Sequence, residues 1–208
     1  RDAATIPRLL RKAGYRSFQT GKFWEGHHSN AGFTDGMTEK GRHGDAGLTI
    51  GRETLQPIYD FIESCGRTPF FVWYAPMMPH APHNPPERIL AKYRVEGRSL
   101  HVARYQAMCE WFDETCGQLL DYLDRKGLAD STLVVLVTDN GWIQDERSGK
   151  PVRSKMTPYD AGLRTPIVLR QPRHIEPRRV PALASSIDLA PTILAACRVE
   201  PPRDLPGM

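Results

Sequence analysis

The chain has 208 residues, a formal net charge of +4, 40% hydrophobic residues and 25% charged residues, a composition typical of a globular domain with a substantial core. No apolar run approaches the ~20 residues that a membrane-spanning helix needs, and no basic stripe with interleaved aromatic residues indicates nucleic-acid binding. We therefore expect neither a membrane span nor a nucleic-acid partner.

The first part of the chain predicts one short helix, one short strand and two loops. Residues 5–13 predict the helix, which Gly14 ends, and residues 17–19 predict the strand. Residues 20–28 form a glycine-containing loop with one lysine, two aromatic residues and two histidines. Because loops on a rigid scaffold often carry chemistry, this loop is a candidate site. Residues 31–47 contain five glycines without clear periodicity and predict irregular structure.

A proline-rich loop follows the second predicted strand. Residues 49–64 have apolar residues at helical spacing, and residues 70–74 are aromatic or apolar throughout, which predicts a buried strand. Residues 75–86 contain five prolines, which exclude a helix. His80 and His83 therefore lie on a stiff extended loop at the end of this strand, either at a site or simply exposed to solvent.

The clearest helix spans residues 104–126, where apolar residues recur at i, i+3, i+4 spacing as a packing stripe. Residues 133–137 follow as five apolar residues, three of them β-branched. A short run that is apolar on both faces predicts a strand covered on both sides, as in a parallel α/β sheet.

The strand over residues 133–137 leads into Asp139, Asn140 and Gly141. In open α/β sheets, ligands bind beyond the carboxyl ends of the strands, and carboxylate and amide oxygens suit a hard divalent cation. We therefore expect a metal or anion site at Asp139 and Asn140. The alternative is an ordinary Asp-Asn-Gly turn without a ligand, because these residues also favour turns.

Helices and strands alternate along the chain, which predicts an α/β fold. A third apolar run lies at residues 167–169, and residues 186–197 predict a helix that Asp188 caps. We expect a single domain over residues 1–208, with a mostly parallel central sheet flanked by helices.

Two oxygen donors, one histidine and two lysines are the candidate site residues: Asp139, Asn140, His80, Lys155 and Lys22. A divalent cation and ammonium groups can offset the charge on the oxygens of a tetrahedral oxyanion ester. A histidine can protonate the leaving oxygen of such an ester. We therefore expect these side chains to converge on one site.

Five motifs, taken in order, make the chain resemble the sulfatase family of the alkaline-phosphatase-like superfamily. Each motif is weak alone, but together they span nearly all 208 residues. They are residues 10–15 with Gly21-Lys22, residues 69–71 with residues 79–83, residues 136–141, residues 155–166 and residues 188–192. The resemblance implies an alkaline-phosphatase-like α/β fold and a calcium-assisted, formylglycine-dependent hydrolysis of a small-molecule or glycan sulfate ester.

The resemblance also implies a role for each candidate residue. Asp139 and Asn140 match downstream metal ligands, for calcium or alternatively magnesium. Lys155 matches the lysine that contacts the sulfate and bridges toward the nucleophile, and Lys22 matches the Gly-Lys lysine that contacts a sulfate oxygen. His80 matches the histidine on the leaving-group side, the general acid.

Three features depart from the family pattern. Where the family reads Gly-Lys-Trp-His, this chain has Trp24 in place of the histidine that orients the nucleophile, and His27 or His28 could replace it. None of the four cysteines lies in a C/S-x-P/A-x-R motif, so the formylglycine nucleophile is absent. The family's upstream Asp-Asp metal pair is also missing.

Calcium takes six to eight oxygen ligands, more than Asp139 and Asn140 supply. The remaining ligands and the formylglycine are therefore expected upstream of Arg1, in a missing N-terminal segment of the same domain. We expect an N-terminally incomplete catalytic domain that lacks its N-terminal strand or strands and has no turnover alone. The family resemblance suggests a periplasmic or extracellular location.

Two alternatives to a sulfatase stay open. A phosphodiester or phosphonate hydrolase of the same superfamily would use nearly the same local chemistry, and an upstream Ser or Thr nucleophile with a second metal would favour it. A non-catalytic relative would keep the fold as a binding or structural module, and Trp24 is the best support for it.

Overall fold

A computed structural model describes residues 3–41 and 43–207, and the chain divides into two compact units. The first unit combines the residues up to Met77 with those from Val180 onward, and the second is Met78–Arg179. Arg42, within the predicted irregular segment, lies outside the described residues, as do Arg1, Asp2 and Met208. The single domain over residues 1–208 stays a prediction.

The first unit is built on a sheet of parallel strands. Strand β1 (Arg16–Gly21) lies at its centre, and the short strand β2 (Asp35–Gly36) pairs in parallel on one side of it. Strand β3 (Phe70–Ala75) pairs in parallel on the other side, from Arg16 opposite Phe70 to Gly21 opposite Ala75. The predicted α/β fold with a parallel sheet is thus confirmed.

The central strand β1 is polar, yet almost fully buried. Ser17, Gln19 and Thr20 are at most 1% exposed. Ser17 exchanges hydrogen bonds with Thr34, the Gln19 side chain bonds two backbone groups, and the Thr20 hydroxyl donates to the Trp73 carbonyl at 2.8 Å. Because buried polar groups are tolerated when they are paired, these bonds allow a polar strand at the centre of the sheet.

Three helices complete the first unit: α1 (Ile6–Lys12), α2 (Gln56–Cys65) and α6 (Leu189–Ala196). Helices α1 and α2 contact β1, and the Phe61 ring of α2 stacks on Phe18 with 4.9 Å between centroids. The helix predicted from residue 49 begins only at Gln56, because Pro57 fits the first turn of a helix but not its interior.

The second unit contains α3 (Glu87–Tyr93) and the 26-residue α4 (Leu100–Arg125). These helices share a buried apolar cluster of four residues: Ile89, Leu90, Ala103 and Ala107. Arg88 and Glu114 join the same two helices through two hydrogen bonds of 2.8 and 2.6 Å. The sequence did not predict α3, because two apolar residues after a proline-rich loop make no recognisable period. No helix in the described ranges has the length and apolar character needed to cross a membrane.

The strand predicted over residues 133–137 differs from its expectation. Strand β4 (Val134–Val137) pairs antiparallel with β5 (Ile167–Arg170) in a two-stranded sheet. Its residues are not fully buried, and Val137 is 38% exposed. The expectation of a parallel strand covered on both faces is therefore wrong here, because a short apolar run does not specify its pairing partner. The four-residue helix α5 (Asp160–Leu163) precedes β5.

Replacing Gly117 by alanine is expected to raise the free energy of unfolding of the full-length protein by about 0.5–1 kcal/mol, because glycine inside a helix loses more conformational entropy on folding. Gly117 lies within α4, and a Cβ there would meet no heavy atom within 4 Å. Gly14→Ala is the matched control, with equally open space but a φ of +87°. It should lower stability by about 1 kcal/mol. Urea denaturation measures both variants, and shifts of the same sign would contradict this account.

Candidate active site

The loop that carries Asp139 and Asn140 follows β4 and packs closely against helix α5. The Gly141 N–H donates to the Gly162 carbonyl at 3.0 Å. A Cβ at Gly141 would lie 1.9 Å from the Ala161 carbonyl oxygen. Only glycine permits so close an approach to another backbone segment, so Gly141 holds Asn140 next to α5.

The loop that carries Lys155 is joined to the same segment. The Ile143 N–H donates to the hydroxyl of Ser154 at 2.8 Å, and the Val152 N–H donates to the Ile143 carbonyl at 3.0 Å. Ser154 is fully buried. Because Lys155 follows Ser154 directly, these bonds anchor it to the chain that leaves Gly141.

The proline-rich loop reaches the same segment through an aromatic cluster. The His83 ring lies 5.5 Å from the Tyr105 ring and 5.8 Å from the Trp142 ring, and Tyr105 and Trp142 lie 6.0 Å apart. Burial raises the pKa of Tyr105 above its ordinary value. The loop with His80 therefore adjoins the loop with Asp139 and Asn140.

The side chains of these loops offer proton-transfer and oxygen-donor groups. His80 is exposed, and its Nδ1 lies 2.7 Å from the Ala81 carbonyl oxygen. When Nδ1 donates to this carbonyl, Nε2 is the ring atom that can exchange a proton with a ligand. The Asn140 Nδ2 donates to the Gly141 carbonyl at 2.8 Å, which leaves the amide oxygen as the atom to offer a cation.

The metal-ligand prediction can be compared with these donors. Asp139 contributes an exposed carboxylate and Asn140 an amide oxygen, and both fit a hard divalent cation. Among the residues the structure describes, no group of three or more His, Cys, Asp or Glu side chains could hold a metal ion. Asp139 and Asn140 are two donors, fewer than the six to eight oxygens that calcium takes.

Lys22 lies in the first unit, at the end of the central strand β1. Its backbone N–H donates to the Ala75 carbonyl at 2.7 Å. Gly21 has a φ of +71°, and a Cβ there would lie 1.9 Å from the same carbonyl oxygen. Gly44 also lies close to Gly21, since a Cβ at Gly44 would lie 2.2 Å from the Gly21 carbonyl oxygen. The Gly-Lys pair is thus held tightly by its own unit.

A histidine that the sequence analysis did not single out lies beside Trp24. The Lys22 Nζ lies 5.2 Å from the centroid of the Trp24 ring, and the His43 ring lies 4.6 Å from it. The ring centroids of His27 and His28 lie 4.1 Å apart. The Nδ1 of His27 forms a hydrogen bond with the Ser29 hydroxyl, and the Nδ1 of His28 forms one with the Thr38 carbonyl. Replacement of the usual histidine by His27 or His28 stays a prediction. No sequence pattern indicated His43, because it lies in a segment without periodicity.

Three of the four cysteines are poorly suited to act as a nucleophile. All four are unpaired thiols. Burial raises the pKa of Cys65 and Cys109 and raises that of Cys116 to about 11. Since the thiolate is the reactive form, these three side chains are unreactive at neutral pH.

The chain is similar to known proteins in sequence and in fold. A family model described as Sulfatase matches residues 1–199. The chain is 30% identical over 159 residues to N-acetylgalactosamine-6-sulfatase of Rattus norvegicus, which covers 72% of this chain and 29% of the relative.

Two solved structures show the same fold. One is a protein in complex with its substrate D-glucosamine-2-N,6-O-disulfate, with a TM-score of 0.72, 19% identity, and coverage of 99% of this chain and 63% of that chain. The other is the lipoteichoic acid synthase LtaP from Listeria monocytogenes, with a TM-score of 0.66, 16% identity, and coverage of 94% and 52%.

The parallel α/β sheet and these likenesses define an alkaline-phosphatase-like fold. The family match over residues 1–199 goes further, and the chain belongs to the sulfatase family. This family in general implies a metal ion and a formylglycine. The chain spans less than a third of the length of the curated relatives it matches.

Proposed function

We propose that the full-length protein is a sulfuric ester hydrolase, and that this chain supplies the downstream part of its active site. One observation carries the proposal: three loops with complementary chemistry meet within the second unit. Gly141 joins the Asp139–Asn140 loop to α5. Ser154 joins the Lys155 loop to the segment that follows Gly141. Trp142, in that same segment, contacts the proline-rich loop.

Asp139 and Asn140 would hold a divalent cation, because both offer oxygen donors shortly beyond the end of β4. Calcium is the proposed ion, since it accepts several carboxylate and amide oxygens in flexible geometry, and magnesium is the alternative. The cation, when bound, would offset negative charge on the sulfate oxygens.

The other residues would bind the ester and move a proton. The Lys155 ammonium would bind a sulfate oxygen, and its charge would stabilise the negative charge that develops in the transition state. His80 would hold a proton at Nε2 and donate it to the departing alcohol oxygen. Lys22 is proposed as a second sulfate contact on the strength of the Gly-Lys motif.

The nucleophile is proposed to come from a segment of the same protein that precedes this chain. Two observations support this proposal: the absence of a C/S-x-P/A-x-R motif from the sequence and the small share of each relative that the chain spans. The same segment would supply the remaining oxygen ligands of the cation, and the described chain alone would have no turnover.

A sulfated sugar is the proposed substrate class. The relative from Rattus norvegicus is named as an N-acetylgalactosamine-6-sulfatase, and a neighbour of the same fold was solved with a disulfated glucosamine. Export to the periplasm or the cell exterior, where sulfated glycans are met, remains part of the proposal.

The full-length protein is expected to release sulfate from 4-nitrophenyl sulfate and from N-acetylgalactosamine 6-sulfate. Bis(4-nitrophenyl) phosphate tests the second candidate function, a phosphodiester hydrolase, which would use nearly the same local chemistry. Ion chromatography of released sulfate and absorbance of 4-nitrophenol measure the two activities. Faster phosphodiester turnover would replace the sulfatase proposal, and no turnover of any of the three would indicate a non-catalytic relative.

A further inference from the structure

A cavity of about 300 Å³ lies in the second unit beside the proline-rich loop. None of the roles proposed above uses the residues that line it. They are Ala81, Pro82, His83, His101, Arg104 and Gly149. Two imidazoles and a guanidinium line this cavity, and none of the six residues is acidic.

The nitrogen-bearing side chains come from two structural elements that fix their positions. His101 and Arg104 lie three residues apart near the start of α4, a spacing that places them on one face of the helix. His83 belongs to the loop, and its ring contacts the rings of Tyr105 and Trp142. The cavity wall is therefore formed by a helix face and by a loop that packs on aromatic rings.

Gly149 lies beside His101 in the wall of the cavity. A Cβ at Gly149 would lie 3.9 Å from the His101 Nδ1, which is an ordinary contact distance. Its φ is not in the left-handed region, so side chains are compatible with its backbone. A larger residue at position 149 would therefore extend into the cavity without straining the chain.

This set of groups suits an oxyanion. A guanidinium presents paired N–H donors that match carboxylate and sulfate oxygens, and imidazoles add further N–H donors. A volume of this size is at the lower end of the range for small-molecule sites. The cavity would accept one anionic substituent with part of a sugar ring.

The cavity lies close to His80, the proposed proton donor. His83 and His80 are separated by three peptide units, so their Cα atoms lie within about 11 Å of each other. A ligand that reaches from His80 to the cavity is therefore no longer than a short oligosaccharide.

We propose that this cavity is a second anion subsite, in which His83, His101 and Arg104 bind an additional sulfate or carboxylate of the sugar substrate. The proposal rests on the proposed function, because it assigns a substrate feature to the same active site. It predicts a preference for substrates with two anionic groups over those that carry only the reacting sulfate.

Arg104→Gln in the full-length protein is the direct test. We expect KM to rise at least tenfold for a substrate with a second anion, because a hydrogen-bonded charge is lost, while kcat/KM for 4-nitrophenyl sulfate changes less than twofold. The probes are N-acetylgalactosamine 4,6-disulfate, with a second sulfate, and chondroitin disaccharide 6-sulfate, with a carboxylate. A rise for only one of them identifies which oxyanion the cavity binds.

Two further variants separate lost charge from a disturbed fold. Gly149→Leu should raise KM for the doubly anionic probe by a similar factor, because its side chain fills the cavity and leaves the two histidines and the arginine unchanged. Arg125→Gln, at the exposed end of α4, removes an equal charge away from the cavity and should leave every KM unchanged. If Arg104→Gln behaves like Arg125→Gln with both probes, the subsite does not exist.

Calorimetric binding of the same two probes distinguishes failure of the subsite from failure of the proposed function. If the wild-type protein turns over no sulfate ester but binds a probe tenfold more tightly than Arg104→Gln does, the anion site stands and the sulfatase proposal falls. Turnover of 4-nitrophenyl sulfate with equal affinities of both proteins for both probes would overturn the subsite alone. If the wild-type protein neither binds nor turns over a probe, the subsite is also overturned.

Discussion

Asp139→Ala in the full-length protein is expected to lower kcat/KM for 4-nitrophenyl sulfate about 10³-fold and to abolish stabilisation by calcium. The carboxylate lies two residues beyond the end of β4 and is the only acidic group of the proposed ligand pair. Without this carboxylate, Asn140 would be the remaining ligand from this chain, and the cation would be lost. The positive charge that stabilises the sulfate oxygens would be lost with it.

Thermal denaturation with and without calcium measures the binding half of this prediction. A ligand present at 100 times its Kd stabilises a folded protein by about 2.7 kcal/mol, so the wild-type protein should show a clear rise in Tm that Asp139→Ala lacks. Asp121→Ala, an exposed carboxylate within α4, is the matched control and should retain both turnover and the calcium effect. If Asp139→Ala also retained both, Asp139 would not be a metal ligand.

Gly141→Ala is expected to destabilise the protein by about 2–3 kcal/mol, the range of overpacking in a tightly packed site. The new methyl group would lie 1.9 Å from the Ala161 carbonyl oxygen, and a backbone atom cannot rotate away as a side chain can. The loop would therefore separate from α5 and displace Asn140. A displacement of about 1 Å in a catalytic group can cost about 10²-fold in rate.

Urea denaturation and kcat/KM for 4-nitrophenyl sulfate test the Gly141 prediction together. Gly117→Ala is the control, because it adds the same methyl group where no heavy atom lies within 4 Å and should leave kcat/KM unchanged. Wild-type stability and turnover in Gly141→Ala would mean that the contact between the loop and α5 does not position the site.

The sequence predicted those elements of the fold whose signal lies in hydrophobic spacing. Helix α4 has a long apolar stripe, and its predicted end at residue 126 lies one residue beyond Arg125. Strand β1 was predicted too short, because its burial depends on hydrogen bonds that join Ser17, Gln19 and Thr20 to other parts of the chain. These bonds join residues at least 17 positions apart and leave no periodic pattern.

The candidate site, like the fold, could be predicted from the sequence only in part. Asp139 and Asn140 could be located from the end of an apolar run, although β4 proved antiparallel and half-buried. The contacts that bring the loops of His80 and Lys155 beside them depend on Trp142 and Ser154, and local patterns do not reveal such partners. His101 was overlooked because the predicted helix began after it, whereas α4 begins at Leu100.

The polar centre of the parallel sheet constrains how this chain can evolve. Three hydrogen bonds join Ser17 and Thr34, and each runs between the hydroxyl of one residue and a backbone group of the other. The Thr34 hydroxyl is the partner of both the N–H and the carbonyl of Ser17, a residue that is only 1% exposed. A residue without a hydroxyl at position 34 would remove this partner, at a cost of about 1–3 kcal/mol for each buried group left unpaired. Across descendants of this sequence, position 34 should therefore retain serine or threonine, whichever residue occupies position 17.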